Sequence, residues 1–179
     1  MKKNGLMSVF ILIFAASSLF AQHHKTDTWG IGIHGRNDFS WDKFESSGGP
    51  GISFKAPKIP LFWDLSLGLK NKWLTIGVSG DYYFQDKTFV EEINLGWFWG
   101  IGAYFWFTNS STSEDTWSRF SGGIRIPIGI SWIFREKLEV FGAWIPHFGV
   151  GFWNGSDSHS GIYFPDGSLA FEVGVRYWF

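Results

Sequence analysis

Apolar and polar residues alternate with a period of two along most of the chain, beginning near residue 28. The last twelve residues, SLAFEVGVRYWF, show this most clearly, because every second residue from Leu169 to Phe179 is apolar. Such alternation is typical of a β-strand that presents one face to an apolar environment. The pattern predicts eight strands, over residues 28–36, 51–56, 62–70, 73–84, 92–107, 119–134, 138–153 and 168–179.

The segments between these strands alternate in length. Residues 57–61, 85–91 and 135–137 connect strands at one end, and residues 37–50, 71–72, 108–118 and 154–167 connect them at the other. An even number of antiparallel strands, with short turns at one end and longer loops at the other, is the plan of outer-membrane barrels. The sequence therefore predicts an all-β fold, an eight-stranded antiparallel up-and-down transmembrane β-barrel.

Alternation also separates the two faces of each strand. Outward rows such as Leu65, Leu67 and Ile76 would contact lipid, and the opposite rows carry the charges and two histidines, His34 and His147. An eight-stranded barrel is only wide enough inside for side chains to fill it. Because unpaired buried charges are costly, we expect acids and bases to pair there and plug the lumen. The predicted network comprises Asp64, Asp81, Glu92, Arg119, Arg125, Glu139, Glu172 and Arg176.

The composition favours a membrane environment. The chain has 12 Trp, 20 Phe and 23 Gly, and only 17% of its residues are charged, against about 25% in soluble domains. The alternative is a soluble barrel of lipocalin type with the two faces exchanged. Its interior would have to hold the rows that include Trp29, Trp63, Trp97, Trp99 and Trp132, which exceeds one small ligand cavity. The net charge of −1 excludes the basic footprint of a nucleic-acid-binding protein.

The amino end has the features of a secretory signal peptide. Lys2 and Lys3 precede an apolar stretch, and Ala21 offers a small residue for cleavage. We therefore predict a signal peptide over residues 1–21 and a barrel domain over residues 22–179; a retained membrane anchor is the alternative. Cleavage would leave Gln22-His23-His24 at the terminus. Such a terminus is either a square-planar Cu(II) or Ni(II) site or a disordered lead-in.

The carboxyl end resembles a known protein class. A final strand that stops on an aromatic residue, here Phe179, resembles the last strand of bacterial outer-membrane barrels. The whole mature chain looks like a small member of the OmpA-transmembrane-domain, OmpX or OmpW kind. That resemblance implies an outer-membrane location, periplasmic termini, contact with outer-membrane lipids and recognition by the assembly machinery. The implied assembly signal is the row Phe171, Val173, Val175, Tyr177 and Phe179.

Two prolines lie inside predicted strands. Pro127 and Pro146 belong to neighbouring strands and fall nearly opposite each other when positions are counted from the turn between them. Proline has no N–H group, so it interrupts the ladder of a sheet. The pair indicates either a shared bulge or a lateral gap in the wall. A gap would let small apolar molecules leave the lumen sideways, as the resemblance to OmpW-like proteins implies.

Catalytic chemistry has little support in the sequence. Ser158-His159-Ser160 in the last loop is the local candidate for a hydrolase, but a hydrolase also needs a carboxylate that orients the histidine and an oxyanion site. We interpret this tripeptide as part of a solvated loop. No enzyme activity, cofactor or metal is predicted.

The predicted outer loops are acidic and contain aromatic residues. Acidic groups in three of the loops would favour cations or basic protein surfaces, and exposed aromatic residues are common anchors of interfaces. These aromatics could equally lie at the lipid headgroups. The sequence therefore predicts a monomeric structural or surface-interaction protein, an adhesin candidate with a plugged lumen and a possible extracellular protein ligand. A narrow conduit for apolar molecules is the alternative. The candidate loop contacts are Phe39, Trp41, Phe44, Trp117 and Tyr163.

Overall fold

A computed structural model shows one antiparallel sheet that closes into a barrel. It describes residues 23–24, 27–40, 46–70, 73–111, 116–155 and 161–179. One turn of 3-10 helix, Glu91–Ile93, lies between the fourth and fifth strands. Within the described residues, no helix is long and apolar enough to cross a membrane. The strands are β1 (Gly30–Ser40), β2 (Ser46–Lys55), β3 (Phe62–Lys70), β4 (Trp73–Val90), β5 (Leu95–Ser111), β6 (Thr116–Arg125), β7 (Ile128–Phe134), β8 (Leu138–Gly155) and β9 (Gly161–Trp178).

The sheet closes because the last strand pairs with the first. β9 runs antiparallel to β1, with Trp178 opposite Gly30 and Ser168 opposite Ser40. β6 and β7 are two halves of one barrel strand, since both lie between β5 and β8 and only residues 126–127 separate them. The ring therefore has eight strands in up-and-down order, which confirms the predicted fold.

The outer wall of the barrel is apolar. Ile33 and Val173, on the neighbouring strands β1 and β9, are each 65% exposed, and apolar side chains occupy the outward rows of the other strands as well. An apolar surface of this extent would be costly in water but is the expected exterior of a barrel in lipid. The inward rows bury the charged groups Arg36, Lys55, Asp64, Asp81, Asp86, Arg125, Glu139, Glu172 and Arg176.

A bulge in β4 changes which residues face inward. The pairing of β4 with β5 shifts by one position between Tyr83 and Gln85, so Phe84 is an extra residue on β4. Because side chains alternate along a strand, one extra residue moves the inward face from odd to even positions. Asp86 is consequently buried, and β4 continues to Val90 instead of ending at residue 84 as predicted.

Other strands also extend beyond their predicted limits. β1 reaches Ser40, β2 begins at Ser46 and β9 begins at Gly161, so the strands occupy part of the segments predicted as outer loops. Pro50 lies within β2. Two strands begin later than predicted, since the first begins at Gly30 and not at residue 28, and the fifth begins at Leu95 and not at residue 92.

Candidate functional site: the charge network in the barrel lumen

Charged side chains fill the lumen from one end of the barrel to the other. We call the end that carries residues 56–61, 91–94 and 135–137 the turn end, and the opposite end the loop end. At the turn end the network is centred on Glu139, near the start of β8, which is fully buried. The register of β8 and β9 places Arg176 directly opposite it. Arg176 Nη1 donates to Glu139 Oε2 at 2.8 Å, and Trp178 Nε1 donates to the same oxygen at 2.9 Å.

His24, which precedes β1, enters the same cluster. Its Nε2 lies 2.9 Å from Glu139 Oε1 and its Nδ1 lies 2.6 Å from Asp86 Oδ1. The backbone N–H of His24 donates to Asp86 Oδ2 at 3.0 Å. Burial lowers the pKa of His24, but the carboxylates of Glu139 and Asp86 outweigh it and raise the pKa to about 9. The histidine is therefore an imidazolium at neutral pH.

Arg125 on β6 occupies the middle of the lumen. Its Nε lies 3.0 Å from Asp81 Oδ1, its Nη2 lies 3.2 Å from Glu172 Oε1, and its Nη1 donates to Ser79 Oγ at 2.5 Å. The guanidinium thus faces two acids on different strands. A buried charge needs both ion pairing and hydrogen bonding to offset its desolvation. The two acids and the Ser79 hydroxyl provide both for Arg125.

Arg36 on β1 forms the layer nearest the loop end. It donates two hydrogen bonds to Asp38, at 2.8 and 2.7 Å, and its Nη2 lies 2.8 Å from His147 Nε2. Its guanidinium lies 4.5 Å from the centre of the Trp106 ring. Arg36 Nη1 also lies 3.6 Å from Glu172, so this layer is joined to the Arg125 layer.

Little space remains between these layers. The cavity beside Asp81, Arg125 and Glu172 has a volume of about 20 Å³ for water-sized molecules, which is room for about one water molecule. The aromatic rings of Phe98 and Tyr83 close it on one side. Around these three residues, the described lumen is therefore packed with side chains.

Ser131, His24 and Asp86 are arranged in the order of a hydrolytic triad. Ser131 Oγ lies 3.4 Å from His24 Nε2, and Asp86 holds the other ring nitrogen. The arrangement lacks the chemistry of a triad, because His24 Nε2 also faces Glu139 and the ring holds both of its protons. A general base must have a free nitrogen to accept the proton of the serine. Ser131 is moreover 1% exposed, which leaves no access for a substrate.

One group of side chains has the composition of a metal site. His34, Asp64 and Glu172 each offer a ligand atom within 4.8 Å of the others, and His34 Nε2 lies 2.9 Å from Asp64 Oδ2. However, Arg36 and Arg125 already contact Glu172. A cation would have to displace or lie beside two guanidinium groups, so the geometry favours an ion-pair network over a metal centre.

Six residues of the predicted network meet in the lumen: Asp64, Asp81, Arg125, Glu139, Glu172 and Arg176. Arg119 is half-buried on β6, where its Nε donates to Ser121 Oγ at 3.1 Å. The prediction for Glu92 is wrong. Glu92 lies on the exposed 3-10 turn before β5, because the chain turns there through Asn94, which has a left-handed conformation with φ of 52°.

Pro127 and Pro146 are cross-strand neighbours in the middle of the wall. Arg125 pairs with His147 and Ile128 pairs with Trp144, so the register passes the prolines without a shift. Of the two alternatives for this pair, the shared bulge is therefore absent. Ile126 N–H donates to Pro146 O at 3.0 Å and Gly100 N–H donates to Pro127 O at 3.0 Å. The reciprocal bonds cannot form, because a proline nitrogen has no hydrogen. The wall is thus weakened at two hydrogen bonds and remains continuous.

The row predicted as the assembly signal lies on the outer wall. Phe171, Val173, Val175, Tyr177 and Phe179 are all exposed, and Phe179 N–H donates to Trp29 O at 3.0 Å.

Among the predicted loop contacts, Phe39 lies within β1 and not in a loop. Its ring packs edge-on against the Phe171 ring, with the two centroids 6.1 Å apart. It therefore belongs to the outer wall. Trp41, Phe44 and Ser158-His159-Ser160 lie outside the described residues, as do residues 1–22 and the side chains of Trp117 and Tyr163.

Sequence reasoning missed His24, Asp86 and Arg36. The alternation predicts that Asp86 lies in a turn, and only the bulge in β4 brings it inward. His24 precedes the first strand and no periodicity marks it. Arg36 continues the inward row of His34, so the alternation of β1 could have identified it.

Comparison with known proteins supports the same architecture. The model of the family described as "Protein of unknown function (DUF3996)" matches residues 52–177. No curated protein matches the chain.

Three crystal structures are similar in fold. Neisserial surface protein A (NspA) has a TM-score of 0.55 and 13% identity, with 84% of this chain and 97% of that chain covered. OprG from Pseudomonas aeruginosa has a TM-score of 0.51 and 12% identity, with 89% and 99% covered. Ail, the attachment invasion locus protein of Yersinia pestis, has a TM-score of 0.50 and 10% identity, with 85% and 97% covered. At these identities the likeness concerns the fold of an outer-membrane barrel.

Proposed function

This chain belongs to the family described as "Protein of unknown function (DUF3996)", and we propose that it is an outer-membrane barrel with a closed lumen that acts through its outer surface. Its role is structural or that of a small surface-interaction protein, such as an adhesin, and it catalyses no reaction. The turn end and both termini face the periplasm. The barrel is a monomer, surrounded by outer-membrane lipid.

The observation that carries this proposal is the set of buried ion pairs that occupies the lumen at several levels. A solute passing through would have to break the contacts of Arg36 with Asp38, of Arg125 with Asp81 and of Arg176 with Glu139. Separating a buried ion pair leaves an uncompensated charge and costs about 3–5 kcal/mol. Several layers of buried ion pairs, one above another along the barrel axis, therefore support a barrel whose interior provides stability and not transport.

A barrel with a closed lumen can meet its partners only at its surface. Three of the outer loops predicted from the sequence are acidic, with Asp42 and Glu45 in one, Glu114 and Asp115 in another and Asp157 in a third. Negative charge in three predicted loops favours a partner with a basic surface. We therefore propose an extracellular protein with a basic patch as the partner class.

The location is tested through the last residue. Deleting Phe179 should prevent assembly in the outer membrane, because the terminal row would lose the aromatic residue that the assembly machinery is proposed to recognise. Membrane fractionation of cells that express the two forms measures this. Normal assembly of the shortened chain would contradict the proposed role of the terminus.

Conductance and solute flux test the closed lumen. The protein would be purified from outer membranes, confirmed as folded by the difference in gel mobility before and after boiling, and reconstituted into planar bilayers. We expect no steady conductance and no uptake of small solutes. Steady single-channel currents would contradict the proposal.

A narrow conduit for small apolar molecules is the second candidate. It is favoured by the two hydrogen bonds that Pro127 and Pro146 remove from the wall. In this alternative an apolar solute would leave sideways near Pro127 and Pro146, and valine at both positions would abolish its uptake. With a closed lumen the same substitutions would change only stability.

A further inference from the structure

The turn end of the lumen contains a pocket that is filled by a segment lying before the barrel itself. Its acidic groups are Asp86 on β4 and Glu139 on β8, and both face the interior. The group between them is the His24 imidazole, whose side chain is 1% exposed. Four aromatic rings surround the imidazole with centroids at 5.2–6.0 Å, namely Phe62, Tyr83, Phe98 and Trp178.

The pocket matches an imidazolium group in charge and in shape. Each ring nitrogen of His24 faces its own carboxylate, Asp86 at 2.6 Å and Glu139 at 2.9 Å. Both nitrogens of an imidazolium are donors, so this arrangement uses its full hydrogen-bonding capacity. Aromatic rings contribute further attraction for a cation and exclude water.

The preceding residue is held as well. His23 N–H donates to Asp86 O at 3.1 Å, and His23 Nδ1 lies 3.0 Å from Thr88 Oγ1. A Cβ atom at Gly96 would lie only 2.5 Å from the His23 ring. Glycine at this position of β5 therefore provides the space in which the segment lies.

The pocket is electrostatically incomplete without this segment. Arg176 contacts Glu139, but the acid pair of Asp86 and Glu139 carries two negative charges and needs a second cation. His23 is a weak candidate, because its Nδ1 is engaged by Thr88 and burial lowers its pKa. Buried carboxylates without a partner are strongly destabilising, and His24 supplies the missing positive charge.

We propose that His23 and His24 plug the turn end of the lumen, and that His24 binds there in an imidazolium-specific pocket of the barrel. This inference goes beyond the proposed function. It rests on that function only in assuming that the layers of Arg125 and Arg36 are closed. Without His24, the pocket between Asp86 and Glu139 is open to the periplasm, and the contact of Arg176 with Glu139 and the layers of Arg125 and Arg36 keep the barrel as a whole closed.

The test uses engineered cysteines, since the natural chain has none. Ser131→Cys places a thiol within the pocket, where the serine oxygen lies 3.4 Å from His24 Nε2. Ser79→Cys places a control thiol in the Arg125 layer. Each would be combined with His24 or with His24→Ala in protein purified from outer membranes, and its reaction with a cationic methanethiosulfonate would be followed by mass.

We expect His24→Ala to accelerate modification at position 131 by roughly tenfold or more, because the local opening is no longer opposed by the bound imidazole. Modification at position 79 should stay slow in both backgrounds. Free imidazole should slow modification at position 131 in the His24→Ala variant and leave the rate unchanged in the protein that retains His24. His24→Gln, which keeps most of the volume and loses the charge, should behave like His24→Ala.

Equal rates at position 131 with and without His24 would overturn the plug, provided that gel mobility shows both forms to be folded. A lack of protection by imidazole would overturn the specificity of the pocket. Neither result bears on the closed lumen, which is tested by the bilayer currents. Exposure of position 79 together with steady currents would instead contradict the closed lumen.

Discussion

The ion pairs at the two ends of the lumen differ in how deeply they are buried. At the turn end Glu139 is fully buried and faces Arg176, Trp178 and His24 within 2.9 Å. At the loop end Arg36 donates two hydrogen bonds to Asp38, but the Asp38 side chain remains 18% exposed. Water at the loop end can replace a lost partner, whereas at the turn end it cannot. Burial, more than the number of contacts, therefore determines what each ion pair contributes to stability.

The largest effect is expected from Glu139→Gln. This change removes the negative charge that compensates Arg176 and His24 and leaves both cations buried. Loss of one partner of a buried pair typically costs about 3–5 kcal/mol of folding free energy. Urea unfolding of the barrel in detergent, followed by tryptophan fluorescence, measures the free energy of unfolding. A loss below about 1 kcal/mol would show that the turn end is no more sensitive than an exposed pair.

A second effect should appear as the pH rises. The pKa of His24 is about 9 in the folded barrel, against about 6.5 in an unfolded chain. Because the folded state binds the proton more tightly, the stabilisation is complete below about pH 6.5 and is lost as the pH passes about 9. Five further titratable or charged groups face or adjoin the His24 ring and carry the remaining charge or hydrogen bonds of the pocket: Asp86, Glu139, Arg176, His23 and Tyr83.

The measurement is the free energy of unfolding between about pH 7 and 9.5, with His24→Gln as the matched control. The natural protein should lose stability over this range, and the control should lose less. Parallel curves for the two proteins would mean that His24 does not carry the proton.

The contrast between the ends also explains what the sequence can predict. Alternation identifies the strands and brings Arg125, Glu139 and Arg176 inward, since a period of two follows directly from strand geometry. It fails where the period is interrupted. Phe84 adds a residue and turns Asp86 inward, and Glu92 leaves the strand for an exposed turn. His24 could not be predicted, because its position depends on a pocket built by residues of five strands, namely β3, β4, β5, β8 and β9.

The wall between the two ends provides a third prediction. Valine at both Pro127 and Pro146 supplies the two missing N–H donors, which can reach the carbonyls of Gly100 and Ile126. Each new bond should stabilise the barrel by about 1 kcal/mol. Urea unfolding measures the gain, and bilayer recordings before and after the change serve as the control for transport. A loss of solute uptake would favour the conduit.

The smallest effect is expected from Asp38→Asn at the loop end. Arg36 keeps its contacts with His147 and Glu172, and solvent can reach the substituted side chain. Partly exposed ion pairs contribute about 1 kcal/mol or less, so the free energy of unfolding should change by no more than that. The same urea titration as for Glu139→Gln gives a direct comparison of the two ends. If Asp38→Asn cost as much as Glu139→Gln, the loop end would be as tightly closed as the turn end, and access to the lumen from outside would be blocked at its first layer.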